Sequence, residues 1–129
     1  MESIFTKIIN REIPAYIIDE NDDFIAFLDV FPIAKGHTLV IPKKQVDYIF
    51  DLDEETHAAL WKFAKKVSLR VNATIPCKRV GVAVIGLEVP HAHIHLVPLN
   101  SVEDINFSNP KLKLTENELI TIHKKMIQH

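Results

Sequence analysis

Three histidines stand at alternate positions, His91, His93 and His95, with Ala92, Ile94 and Leu96 between them. Side chains on an extended strand alternate faces. A strand here therefore lines three imidazoles along one face and sends three apolar groups into a core on the other. Imidazole has the side-chain pKa nearest neutrality, so such a row can bind an anion, hold a metal or attack an electrophile.

The residues alone leave three readings open. The triplet could be buried and hydrogen-bonded for structure, although three polar groups on one strand face are costly to bury. It could hold zinc or iron through two of the histidines, with a third ligand from the third histidine, His37 or Glu88. Against a metal, positions i and i+4 on a straight strand lie roughly 13 Å apart. A metal–nitrogen bond is about 2 Å, so one ion cannot take both His91 and His95. The third reading is nucleophilic attack on phosphorus: the middle imidazole forms a transient bond while its neighbours donate to phosphoryl oxygens.

The chain that must position these groups has 129 residues, 47% hydrophobic and 25% charged, enough for one domain with a real core. Its formal charge of -2 provides no broad basic field, so no nucleic-acid partner is expected. The single cysteine, Cys77, allows neither an internal disulfide nor a CxxC zinc site. Three glycines leave no room for a P-loop or a dinucleotide fingerprint. No apolar run reaches the roughly 20 residues of a membrane span, and the first residues carry no signal-peptide pattern. A cytoplasmic protein without a membrane partner is expected.

Ser3 reads as the N-cap of a short helix carrying Ile4, Phe5, Ile8 and Ile9. Residues 16–20 and 24–28 read as strands joined by the Asn21-Asp22-Asp23 turn. Residues 37–41 form a third strand, stopped by Pro42. Asp51 with Glu54 resembles a capping box. Leu60, Phe63, Ala64, Val67 and Val71 then mark one face of the longest helix. A loop over 72–78, a strand over 79–85 and a short link lead into the histidine strand. Thr115 and Glu118 cap a last helix near 115–127 with Leu119, Ile122 and Met126 inward. His57, His123 and His129 are assigned to surface or helix-end roles. This order predicts an α+β fold.

Beyond these patterns, His-Ala-His-Ile-His-Leu-Val resembles the signature of the histidine-triad (HIT) family at every position. The segment Ser3-Ile4-Phe5-Thr6-Lys7-Ile8-Ile9-Asn10-Arg11-Glu12-Ile13-Pro14-Ala15 is similar to the start of that family's Hint branch. Residues 24–30 and 36–44 are similar to its nucleoside-binding region. The resemblance covers about residues 3–99; residues 100–129 fall outside it.

The resemblance implies a five-stranded antiparallel sheet with one long helix in a single domain over 1–129, and sheets joined in a homodimer. It implies a nucleotide hydrolase or transferase that releases a purine nucleoside 5′-monophosphate, AMP-type, from an amine or phosphate, a phosphoramidase for example. The alternatives are a dinucleoside polyphosphate hydrolase and a nucleotide-binding dimeric scaffold of low activity. Position by position, His93 becomes the nucleophile, His91 and His95 contact phosphate and leaving-group oxygens, and His37 is the fourth histidine. Asp29 receives the ribose hydroxyls. Ile4, Phe5, Ile8, Phe27, Leu28, Val30 and Leu39 form the slot for the base, and backbone amides near Val89 meet the phosphate. No cofactor and no metal ligand are implied. The link before the triad lacks the family's usual Asn and Gln. Glu88 stands where Ser, Thr or Glu is usual, and an acid there favours a protonatable leaving group such as an amine.

Overall fold

The computed structural model describes residues 1–128; the expectation for His129 lies outside them. The elements are α1 (Ile4–Ile9), β1 (Ile17–Glu20), β2 (Phe24–Leu28), β3 (Thr38–Pro42), α2 (Glu54–Thr74), β4 (Arg79–Ala83), β5 (Ile94–Leu99) and α3 (Glu116–Ile127). Short 3-10 turns occupy Ile49–Asp51 and Val102–Ile105.

The five strands form one antiparallel sheet in the order β1-β2-β3-β5-β4. The β1–β2 turn is held by the Asn21 side chain, which accepts from the amides of Asp23 (2.9 Å) and Phe24 (2.8 Å). Register aligns Ile17, Phe27, Leu39 and His95 in one row across four strands. Because successive residues alternate faces, the neighbours Leu28, Val40 and Ile94 point the other way, into the core under α2 and α3.

That core takes the expected stripe of α2: Leu60, Phe63, Ala64, Val67 and Val71 are all buried. Helix α2 begins two residues later than the Asp51–Glu54 pair suggests. Asp53 is the N-cap, accepting from the Thr56 amide at 2.7 Å, and Asp51 closes the preceding 3-10 turn. It also runs on to Thr74, so the expected loop over 72–78 begins late. Helix α3 has the expected capping box of Thr115 and Glu118 and buries Leu119, Ile122 and Met126. His123 is no solvent residue: its Nε2–H donates to the Ile17 carbonyl at 2.7 Å and clips α3 to β1.

The histidine strand starts later than the alternation predicts. β5 begins at Ile94, and its last pair with β3 is Val40↔Ile94. Before it the backbone turns aside: the His91 amide donates to Val89 (2.8 Å) and the Ala92 amide to Val46 (2.7 Å). The side-chain alternation survives this departure, and Ala92, Ile94 and Leu96 all enter the core. Among the described residues no helix is long and apolar enough to cross a membrane.

Candidate functional site

The opposite face of the sheet is half covered by α1, whose Phe5 and Ile8 pack on Ile25, Phe27, Leu39 and Ile41. Beside Phe5, in the first turn of α1, a cavity of about 430 Å³ opens. Its walls include Phe5, Asp29, Leu39, Glu88, Val89, His93 and His95. A larger cavity of about 600 Å³ lies by the N-terminal end of α2 and has no histidine in its walls.

Two histidines, His93 and His95, line the first cavity, with His37 bonded to His95 and His91 to His93 behind them, and all four are nearly sealed: His91 is 0% exposed, His37 1%, His93 6% and His95 9%. Burial pushes the His37 pKa down to about 4 and that of His95 to about 3, and Lys111 and His93 add electrostatic disfavour to both. Burial lowers His91 too, against the opposing pull of the Pro42 carbonyl. His37, His91 and His95 are therefore neutral at pH 7, and each has one N–H and one lone pair.

The hydrogen-bond network then assigns the tautomers. The Ile33 amide donates to His37 Nδ1 at 3.2 Å, so the His37 proton is on Nε2. That Nε2–H donates to His95 Nδ1 at 2.9 Å, which puts the His95 proton on Nε2. His91 Nε2–H donates to the Pro42 carbonyl at 2.7 Å, and its Nδ1 accepts from Ser3 Oγ–H at 2.8 Å. His93 Nδ1–H donates to the His91 carbonyl at 2.7 Å, leaving the Nε2 lone pair. The rings of His93 and His95 lie 4.8 Å apart, and both line the cavity. One nitrogen lone pair thus sits beside one N–H donor, the pair that attack on an electrophile next to a developing oxyanion requires.

His37 is placed by its turn. Gly36 has φ +86°, a left-handed conformation open to glycine, and any Cβ there would meet the Ile75 side chain. His91 is placed by α1: Ser3, 4% exposed, holds its Nδ1, and Gln45 Oε1 accepts from the Ser3 amide (2.7 Å) and Thr6 Oγ1 (2.8 Å).

The structure brings most of the expected residues together, with exceptions. His91 is not a cavity-wall residue, and both its ring nitrogens are occupied within the protein. Leu28 faces the α2 core, because its neighbour Phe27 takes the α1 side. Ile4 and Val30 are 50% and 42% exposed and stand outside the cavity wall. Ile8 and Phe27 pack beneath Phe5 instead of lining the opening. Asp29 lies at the rim, its Oδ2 3.8 Å from His37 Nε2. Glu88 is exposed at the mouth. Six wall residues lie outside the expected set, Phe31, Ile85, Gly86, Leu87, Phe107 and Lys111; for Phe107 the one signal was a single aromatic in a polar stretch. Among the described residues, no three His, Cys, Asp or Glu side chains form a group that could hold a metal ion.

Comparison with known proteins places the fold and the family. Residues 10–102 match the HIT domain. An uncharacterised HIT-like protein of Borreliella burgdorferi is 39% identical over 105 residues, spanning 75% of each chain. One from Methanocaldococcus jannaschii is 40% identical over 105 residues, 74% of this chain and 77% of its own. A crystal structure of a hypothetical histidine triad nucleotide-binding protein of Sulfolobus tokodaii superposes with a TM-score of 0.82 at 30% identity, covering 97% of this chain and 89% of that one. A Hit-like protein of Bartonella henselae superposes with a TM-score of 0.84 at 32% identity, covering 98% and 95%. With most of its length inside the matched domain, this chain belongs to the histidine-triad (HIT) family.

Proposed function

We propose that this protein transfers the nucleoside 5′-monophosphate part of a nucleotide conjugate to His93 and then to water. The HIT family is one of nucleotide-binding proteins and nucleotide hydrolases. One observation carries the finer reading: His93 Nδ1–H is held by the His91 carbonyl at 2.7 Å, which leaves Nε2 as the lone pair in the cavity wall.

In this reading the base lies over Phe5 and Leu39, and the ribose hydroxyls meet Asp29. His93 Nε2 attacks the α-phosphorus in line with the leaving group. The N–P bond forms as the bond from phosphorus to the leaving nitrogen or oxygen breaks. His95 Nε2–H and the amides near Val89 bind the phosphoryl oxygens as charge builds on them. His91 has no free nitrogen to offer, and its role is to hold the carbonyl that orients His93. Glu88, at the mouth, relays a proton to an amine leaving group. Water then cleaves the N–P bond and releases the purine nucleoside monophosphate.

The working unit is a homodimer joined along β4. This edge strand and its surroundings leave Val82, Ile85, Leu87, Tyr48 and Phe50 exposed, Leu87 by 88%. An apolar strand edge of that kind needs a cover.

The test is intact-mass detection of a nucleotidyl adduct on His93 after acid-free quenching with adenylated phosphoramidate and polyphosphate substrates. The expected result is one added nucleoside monophosphate, absent in His93→Ala. Turnover by His93→Ala near the wild-type rate overturns the assignment.

A further inference from the structure

We infer that Lys111, carried over the cavity by the segment after β5, forms a subsite for a second phosphate on the nucleotide, one that is not attacked. This rests on the nucleotide reading above and adds a class of substrate to it.

Lys111 lies beyond the matched domain, which ends at residue 102. Two contacts bring its segment back to the site. The Phe107 ring packs edge-on against His95, 4.6 Å between centroids, and stands 6.0 Å from His37. The Leu112 amide donates to the Pro32 carbonyl at 2.8 Å, which pins the chain beside the loop that follows Asp29. Lys111 Nζ sits 5.7 Å from the centre of the Phe107 ring, and the side chain forms part of the same cavity wall as His93 and His95.

The cation is unspent. Among the described residues no carboxylate lies within 4 Å of Nζ. Of the two carboxylates in the wall, Asp29 is engaged elsewhere, its Oδ1 accepting from the Phe31 amide at 2.9 Å and its Oδ2 facing His37, and Glu88 is exposed and forms no ion pair with Lys111. Lys111 is also the one cation among the described residues that line this cavity. The reacting phosphate already has the His95 N–H and nearby amides. A neutral base and ribose have no use for an ammonium group. A flexible, strongly hydrated point charge at a cavity rim suits a phosphate. The shared chemistry is a phosphomonoester or phosphoanhydride next to the attacked centre, either on the ribose or on the leaving-group side.

The experiment is calorimetric titration of the full chain and of Lys111→Gln and Lys111→Arg with adenosine 5′-monophosphate, adenosine 3′,5′-bisphosphate and adenosine 5′-diphosphate. The wild type is expected to bind one of the doubly phosphorylated probes about tenfold or more tighter than the monophosphate. Preference for the 3′,5′-bisphosphate assigns the ribose side, preference for the diphosphate the leaving-group side. Lys111→Gln should bring the ratio to within about twofold, and Lys111→Arg should keep it, since charge is what is read. No preference in the wild type overturns the subsite, and so does a preference that survives Lys111→Gln. Absence of the His93 adduct with this ratio intact would sink the catalytic reading alone. Failure of the wild type to bind any of the three probes sinks both.

Discussion

The two faces of the sheet are made from the same strands, yet they do opposite work. Toward α2 and α3, Leu28, Val40, Ile94 and Leu96 meet other apolar side chains in one continuous core. Toward α1, the residues one step along, Phe27, Leu39 and His95, meet a smaller apolar cluster that gives way to four nearly sealed imidazoles. The first face supplies burial, and burial holds the second in place. Buried polar groups are tolerable when each is hydrogen-bonded, and His37 and His91 have partners on both nitrogens, drawn from backbone or neighbouring side chains. The contrast teaches that structure and chemistry are not rival readings of a buried histidine. Here hydrogen bonding inside the protein is what leaves one lone pair and one N–H facing the cavity.

Substitutions can break this division. The largest expected effect is His93→Ala, which should take turnover to background while the unfolding midpoint in denaturant stays near that of wild type. Loss of folding with loss of activity would show that the two faces are not separable. Next, Ile94→Ala, one residue away on the opposite face, should cost about 2–5 kcal/mol of stability, as deletion of a fully buried side chain does. Denaturant unfolding checks it, and the adduct on His93 should still form.

Acid should attack the histidine face selectively. The unfolded chain titrates its imidazoles near 6.5, whereas folded His37 and His95 take protons only near 4 and 3. Between those values the unfolded state binds more protons, so stability falls as pH falls. It is intact above pH 6.5 and declines toward pH 4, by about 1 kcal/mol per pH unit for each such imidazole. Denaturant titrations at pH 7, 6, 5 and 4 measure the slope, and His37→Gln should flatten it.

The smallest effect is Ser3→Ala. It leaves the sealed His91 Nδ1 without its donor, at a cost of about 1–3 kcal/mol. Ser3→Thr should restore most of the loss.

Much of this was legible from residue order. The caps of α1 and α3, the apolar stripe of α2 and the alternation of 91–96 locate the three helices and the inward set Ala92, Ile94 and Leu96. What escaped has physical causes. In β2, five consecutive buried residues hide which face each one takes, so Leu28 passes for a slot residue until pairing fixes Phe27 on that side. The start of β5 depends on amide bonds to Val89 and Val46, which no periodicity encodes. Ser3 and Gln45 matter through contacts 88 and 42 positions away in the chain. Phe107 and Lys111 reach the cavity because a turn-rich segment folds back over it, and composition is silent on that path.

Ser3 also ties the histidine cluster to the cap of α1. Its hydroxyl steadies the His91 ring, and the His91 carbonyl in turn holds His93 Nδ1. A change at that cap is therefore felt some ninety positions further along the chain, at His91 and through it at His93.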